Sequence, residues 1–352
     1  MRVAVIILNW NGAQLLRDFL PALVQHTQDA DLIVADNGST DDSEVVVVQF
    51  PDVQWMPLGS NHGFAEGYNK AIACVDHEAV VLLNSDVEVT SGWLAPLVRQ
   101  LENNRKCAAV MPKILDFKSK GSFEYAGAAG GYLDHYGFAY CRGRLFDELE
   151  EDDGQYDLPI QVDWTSGACM LVRRELYDKL GGLDASFFAH FEEIDLCWRL
   201  RNAGYYLVCE PASHIYHVGG ATLEQGSTRK VFLNFRNALS TLYLNAQEML
   251  VLRLFVKMSL DGLAAYSFLF SGRFSYFWAV ARAHFAFYGN LGALSRKRTY
   301  NKRRWTTDFK ETSNLHVTGT SHYSSLQEHR KVSSIVWSHY VRGIKRWSEL
   351  HK

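Results

Sequence analysis

The stretch Val80-Val81-Leu82-Leu83-Asn84-Ser85-Asp86 constrains this chain more than any other. Its apolar run is too short for a helix and suits a strand buried on both faces, the kind found in helix-covered parallel sheets. The run breaks into Asn-Ser-Asp, which sets a carboxylate at the carboxyl end of a strand, where open α/β sheets collect ligands. A single acid there can as well turn the chain or cap the next helix. The same design occurs a second time, however: Asp31-Leu32-Ile33-Val34-Ala35 ends in Asp36-Asn37-Gly38-Ser39-Thr40. Two acidic exits in one sheet predict one polar pocket, with Asp86 a candidate for gripping a ligand or its metal ion.

From residue 1 to about 112, apolar strands alternate with helix-period segments. Residues 3–8 form the first strand, and Leu15, Leu16, Phe19, Leu20 and Leu23 recur at helical spacing after it. Helices are also expected through 45–50, near 65–74 and over 93–101, with a short extended piece at 53–56. This alternation predicts an α/β fold, a mostly parallel sheet with helices on both faces. Polar residues follow the strands: Asn9-Trp10-Asn11-Gly12 after the first, and Asn61-His62-Gly63-Phe64 at the opening of the third helix. No Gly-x-Gly-x-x-Gly follows the first strand and no Gly-x-x-x-x-Gly-Lys-Ser/Thr occurs, so a dinucleotide oxidoreductase and a P-loop NTPase are disfavoured.

Residues 113–160 lose the alternation and are too long for an ordinary connection, which predicts a functional lid or a mobile excursion. Within it, Arg142 and Arg144 either hold phosphate oxygens or are solvated or paired with the acidic run 148–153. Order returns at 162–172, and a helix over 174–180 stops at Gly181-Gly182. Glu192, Glu193 and Asp195 then crowd the first turn of the next helix. Acids there complement the helix dipole. Yet Glu192 and Glu193 follow the aromatic 187–191 stretch, and apolar surroundings raise a carboxylate's pKa towards that of a useful base. Capping and catalysis both stay open for this pair. A strand at 206–209 is followed by His214, which reads as structural, and by His217, whose Gly-Gly neighbours suit a pocket.

With 352 residues, 47% of them apolar, the chain can bury a large core. The net charge of −3 conceals an asymmetry, because residues 291–352 hold 13 Lys/Arg against 4 Asp/Glu and so carry +9, leaving −12 elsewhere. Six scattered cysteines lack metal or redox spacing and read as core residues of a reducing compartment. The first strand begins too soon for a signal peptide, so a cytoplasmic location is expected. In the C-terminal third, residues 250–270 are apolar, but Arg253, Lys257 and Asp261 argue against a spanning helix. An aromatic 275–288 stretch and the clusters Arg296-Lys297-Arg298 and Lys302-Arg303-Arg304 follow, which together predict peripheral contact with an anionic membrane. A helical cap or a homodimer through these helices is the other reading; no recognition motif supports a nucleic-acid partner.

In this order the features resemble the family 2 glycosyltransferases of the GT-A fold, in the branch that contains many predicted rhamnosyltransferases. The resemblance spans about 3–220, with a weaker echo to about 245. It implies a GT-A nucleotide-diphospho-sugar transferase domain at 1–225 and a helical, basic region at 226–352. It further implies that Asn9 and Asn11 line the nucleotide pocket, that Asp36 binds the base, and that Asn61, Phe64 and Asn69 lie along the donor. Asn84-Ser85-Asp86 stands where the family has its Asp-x-Asp motif, so Asp86 is the one carboxylate that motif offers to Mg²⁺ or Mn²⁺. By the same resemblance His217 completes the metal shell, Trp164 and Gly167 belong to the segment before the acceptor site, and Glu192-Glu193 replaces a Glu-Asp pair, with Glu193 the base by position. The reaction implied is inverting transfer from a nucleotide-diphospho-sugar, with dTDP-L-rhamnose favoured. Its acceptor would be a glycan or lipid-linked molecule of cell-surface polysaccharide synthesis, at the inner face of the cytoplasmic membrane. Two other readings are a non-catalytic nucleotide-sugar binding protein on this fold, and a nucleotidyltransferase, whose usual basic, Gly-rich phosphate loop is missing here.

Overall fold

The apolar runs form the middle of the sheet. In the computed structural model, which describes residues 1–219, 227–307 and 332–350, β1 (Val3–Asn9) lies between β2 (Asp31–Asp36) and β4 (Ala79–Asn84), with β3 (Val53–Pro57) outside β2, all parallel. The connections are α1 (Ala13–His26), α2 (Ser43–Val47) and α3 (Gly63–Ala73), and α1 buries Leu16, Phe19, Leu20 and Leu23 of the expected stripe, with Leu15 half-buried at its edge. Beyond β4 come β5 (Val87–Val89), α4 (Leu94–Asn103) and β6 (Cys107–Asp116). The small strands β7 (Gly131–Leu133), β8 (Ala139–Cys141), β9 (Arg144–Leu145) and β10 (Glu148–Leu149) precede β11 (Ile160–Val162) and β12 (Cys169–Arg173). Next are α5 (Arg174–Leu180), α6 (Glu192–Asn202) and β13 (Tyr206–His217). The helices α7 (Thr228–Asn245), α8 (Leu250–Phe270), α9 (Phe274–Gly289), α10 (Leu291–Thr307) and α11 (Ile335–Tyr340) complete the described chain.

The main sheet has the order β11-β13-β6-β12-β4-β1-β2-β3, with β5 attached to β13. β12 runs antiparallel between β4 and β6 and sets Cys169 against Leu83, so the chain entering β12 meets the exit of β4. β13 sets His217 against Val87, beside Asp86. Register alone therefore gathers three separate chain segments at one end of the sheet.

Residues 113–160 are neither a lid nor a mobile excursion. They build a second, antiparallel sheet, β10-β9-β8-β7, over buried Phe123, Tyr132 and Tyr140. Lys113 anchors this layer to Asp152 at 2.5 Å and Asp157 at 2.7 Å. Arg142 and Arg144 follow neither expectation, because both are buried and bind backbone. Arg142 Nε donates to the Ala129 carbonyl at 2.8 Å and Arg144 Nη1 to that of Phe146 at 2.9 Å. Turn carbonyls that would otherwise be buried without donors explain this choice. The strand expected at 206–209 continues to His217, with an irregularity between Glu210 and His214.

α7 packs on α6 and α9 and thereby joins the C-terminal helices to the α/β body. The boundary expected between 225 and 226, Gly220, and the 308–331 part of the basic tail lie outside the described residues. Among the described residues no helix is long and apolar enough to cross a membrane. All six cysteines are unpaired, and five are buried.

Candidate active site

At the exits of β1 and β2, short polar side chains hold one another. Asn9, fully buried, donates to Asp36 Oδ1 at 3.3 Å and to Ser39 Oγ at 3.1 Å, while Asp36 Oδ2 accepts the Ser39 N–H at 3.0 Å. Exposed Asn11 accepts the Thr40 N–H at 2.8 Å. Asn61 Oδ1 accepts the Gly63 N–H at 2.8 Å and meets Asn37, which fastens the β2 exit to the start of α3. Gly63 has φ +77°, and Phe188 packs where a Cβ would stand. Phe64 lies alongside, its N–H bonded to the Phe188 carbonyl at 3.2 Å.

Asn84, Ser85, Asp86 and His217 meet at the exit of β4. His217 Nε2 is 3.1 Å from Asp86 Oδ1 and 3.4 Å from Asn84 Nδ2, and its Nδ1 is 3.3 Å from Glu124 Oε1. Burial works to lower the imidazole pKa, but bonding to Asp86 and Glu124, together with their charges, raises it to about 10. The Asp86 carboxylate faces the imidazole nitrogen across this gap, and in its neutral form the imidazole offers a lone pair that, with the carboxylate, suits a divalent cation. Glu124 on the far nitrogen completes the carboxylate–histidine arrangement that orients metal-binding imidazoles. Among the described residues there is no cluster of three or more His, Cys, Asp or Glu forming a cage. One carboxylate and one imidazole leave most of the coordination to water or a bound phosphate, as Mg²⁺ and Mn²⁺ commonly have it.

Glu192 and Glu193 open α6. Glu192 is buried and Glu193 partly exposed, and each has a buried Oε2 without a hydrogen-bond partner among the described residues. Burial raises both pKa values; the neighbouring Glu193 charge raises that of Glu192 further, well above the ordinary range. Glu193, raised to about 7, lies where a general base works near neutrality. A Cβ at Gly167 would lie 3.5 Å from the Phe64 ring and 3.8 Å from Glu193 Cγ. The adjoining Ala168 carbonyl accepts the Asn84 N–H at 3.0 Å. The 167–168 segment thus connects the Asp86 end of the site to the Glu193 end.

Leading into α6, Phe188, His190 and Phe191 all have positive φ, 67°, 68° and 72°. Each such residue costs about 1–3 kcal/mol unless its surroundings hold it. The hold comes from α7, where fully buried Asn237 donates through Nδ2 to the carbonyls of Phe187 at 3.1 Å, Ala189 at 2.9 Å and His190 at 2.7 Å. Arg236 Nη2 adds a bond to the Phe187 carbonyl at 3.1 Å, and Asn245 Nδ2 donates to Asp195 Oδ1 at 2.7 Å. Asp195 itself is ion-paired with Arg199 at 2.8 Å, which makes the third acid of this turn a structural one.

Two expected site residues have other tasks. Asn69 accepts from Tyr177 OH at 2.6 Å and the Leu183 N–H at 2.9 Å and donates to the Leu183 carbonyl at 2.8 Å, so its amide ties α3 to the turn after α5 rather than facing a donor. Trp164 is buried under the small sheet, its Nε1 bonded to the Tyr132 carbonyl at 3.0 Å, and is core rather than acceptor surface. Sequence reasoning missed Glu124 and Asn237. No pattern marked either one, because α7 also carries Arg229, Lys230, Asn234, Ser240 and Asn245, among which Asn237 does not stand out.

A mixed sheet of this order, with acids at the β2 and β4 exits and a carboxylate pair opening the helix before the last strand, is the GT-A architecture, and the chain is a glycosyltransferase. Residues 4–181 match the model of glycosyl transferase family 2, and the chain belongs to that family. It is similar to the N-acetylglucosaminyl-diphospho-decaprenol L-rhamnosyltransferase of Mycobacterium tuberculosis, 27% identical over 60% of this chain and 75% of that one. It is also similar to the rhamnosyltransferase WbbL of Escherichia coli K12, 24% identical over 61% and 83%. Among solved structures, GalNAc-T7 with UDP, GalNAc and Mn²⁺ superposes with a TM-score of 0.55 at 16% identity, covering 69% of this chain and 48% of that one.

Proposed function

We propose that the protein transfers a hexosyl group, L-rhamnosyl from dTDP-L-rhamnose as first choice, to a glycan or lipid-linked acceptor of cell-surface polysaccharide synthesis, with inversion at the anomeric carbon. The relatives' names support the sugar, and one of them names a lipid-linked diphosphate acceptor. Asn11, Asp36, Asn61 and Phe64, with Asn84 and Ser85, line the donor site, Asn9 holds Asp36 and Ser39 from beneath, and Asp86 and His217 would hold a Mg²⁺ or Mn²⁺ ion. When bound, that ion offsets the negative charge of the departing nucleoside diphosphate. Arg229, stacked on Phe188 at 4.5 Å, adds a positive group at the same rim.

Glu193 takes the proton of the acceptor hydroxyl as its oxygen forms a bond to the anomeric carbon and the bond from that carbon to the phosphate oxygen breaks. The observation that carries this assignment is the Glu193 carboxylate, partly exposed, with a raised pKa and an unpartnered oxygen beside Gly167. A base is most effective when its pKa lies near the working pH. Glu192 lies buried behind it, its carboxyl held towards the protonated form by burial and by the Glu193 charge. The catalytic domain we assign to 1–225, supported from outside by Arg229 and Asn237 of α7, and the face that meets the inner side of the cytoplasmic membrane to 226–352.

The test is a panel of nucleotide sugars with Mn²⁺ or Mg²⁺, following nucleoside diphosphate release and the anomeric configuration of the product by NMR. Inverted product with one donor supports the reading. Retained configuration, a nucleotidylated product, or donor binding without transfer each overturns it.

A further inference from the structure

α8 is built inside out. Lys257 and Asp261, its central charges, are buried at 3% and 2% exposure, 3.6 Å apart, with His284 of α9 and the Phe138 ring packed against them. The opposite side carries Leu252, Phe255, Leu263, Tyr266 and Phe270, all exposed and spaced three to four residues apart, with only Ser259 interrupting the row. α9 continues the pattern with exposed Phe274, Trp278, Phe285 and Tyr288 over buried Ala279, Val280, Ala283 and Phe287. A water-facing helix has the reverse arrangement, and contiguous apolar surface of this extent marks an interaction face.

We propose that the outward faces of α8 and α9 insert together into the surface of an anionic bilayer. Charge decides the partner. Between residues 250 and 307 there are ten Lys/Arg and a single acid, Asp261, which is buried, so the outward face bears no negative group. Arg273 sits at the α8–α9 turn against the rings of Phe268 at 4.8 Å and Tyr276 at 5.7 Å, and exposed Arg296 lies in the acid-free α10. A second copy meeting this face about a two-fold axis would set cations against the same cations. Anionic headgroups complement them, while the aromatic rows suit the boundary with the acyl chains. Neither helix crosses, so the surface lies on the membrane rather than through it.

This inference deepens the peripheral location proposed above and rests on it. The full chain and the triple variant Phe255→Ser, Phe270→Ser, Trp278→Ser are co-sedimented with phosphatidylcholine vesicles, with and without phosphatidylglycerol. The full chain is expected to sediment with the anionic vesicles and to be released by salt. The triple variant should bind at least roughly 100-fold more weakly, since two Phe and one Trp side chains no longer enter an apolar phase, while its melting temperature stays within a few degrees. Equal binding by the variant overturns the surface, as does a full chain that never sediments. A lipid-free dimer that the triple substitution dissociates also overturns it and makes the face a protein interface. Nucleotide-sugar turnover with a water-soluble acceptor is followed in parallel without lipid; its failure with vesicle binding intact counts against the proposed reaction and leaves the surface standing.

Discussion

Asp86 and Glu193 serve one site from two kinds of support. Asp86 leaves a central strand, and its partners His217 and Asn84 are set in place by sheet register. Glu193 enters its helix from three left-handed residues, and the helix that holds them, α7, follows about forty residues later. The first arrangement survives as long as the sheet does. The second depends on a few hydrogen bonds, three of them from the one amide of Asn237, so the base end is the part a single substitution can misplace without unfolding the protein.

The largest effect should come from removing the base itself. Glu193→Gln keeps the shape and should lower kcat roughly 10²–10⁴-fold with donor affinity unchanged, measured by nucleoside diphosphate release and donor calorimetry. In the unaltered protein kcat/KM should rise with pH through about 7, because the active form is the carboxylate and its pKa is raised to that value. If Glu192→Gln shows the loss and Glu193→Gln does not, the two roles are exchanged.

Next is Asp86 and its support. Asp86→Ala should abolish Mn²⁺-dependent donor binding in calorimetry while far-UV circular dichroism stays that of the original chain; because the carboxylate is buried against His217, a lower melting temperature should accompany the loss. Glu124→Gln, which keeps an oxygen for the Ala126 N–H but removes the charge beside the far nitrogen of His217, should weaken Mn²⁺ affinity by roughly 10–100-fold. Equal affinity in both variants would remove the metal from this end of the site.

Asn237 tests the other support. Asn237→Ala and Asn237→Asp both remove the donor to the 187–190 carbonyls, the second with almost no change of shape. Both should reduce kcat by about 10–100-fold with KM little changed, as expected when a reacting group is displaced by about an ångström. A loss in Asn237→Ala that Asn237→Asp restores would make packing the cause and end the positioning role.

These two supports also explain what could be read beforehand. The strands, the acids at their exits and the helix stops were legible because each depends on local pattern: apolar period, turn chemistry, a glycine after the last helical residue. The pairing of Glu192 with Glu193 and the aromatic 187–191 stretch before them were visible, but the hold of α7 on that stretch was not, since it comes from Asn237, far along the chain. Asn69 and Trp164 were misassigned for the same reason. A polar side chain near a site has the same sequence signature whether it faces a ligand or, as with the Asn69 amide, closes a distant turn. Residues 113–160 looked unstructured because their strands are two or three residues long, too short to show a period.

The smallest expected effect concerns stability and separates the two glutamates without any substrate. Glu192 is buried without a partner for one of its oxygens, and its folded-state pKa lies well above the ordinary 4.5. For such a group the folded protein binds more protons than the unfolded one at intermediate pH, so stability is full below about pH 4.5 and declines as pH rises towards the folded-state pKa. Glu192→Gln carries no proton to lose and should escape that decline. Thermal melts from pH 5 to pH 8 should therefore show the variant gaining on the original chain as pH rises, by a few degrees at the upper end. If the gain is flat across that range, Glu192 is already charged in the folded protein. Glu193 would then face a negative neighbour, and its position beside Gly167 would alone carry its assignment as the base.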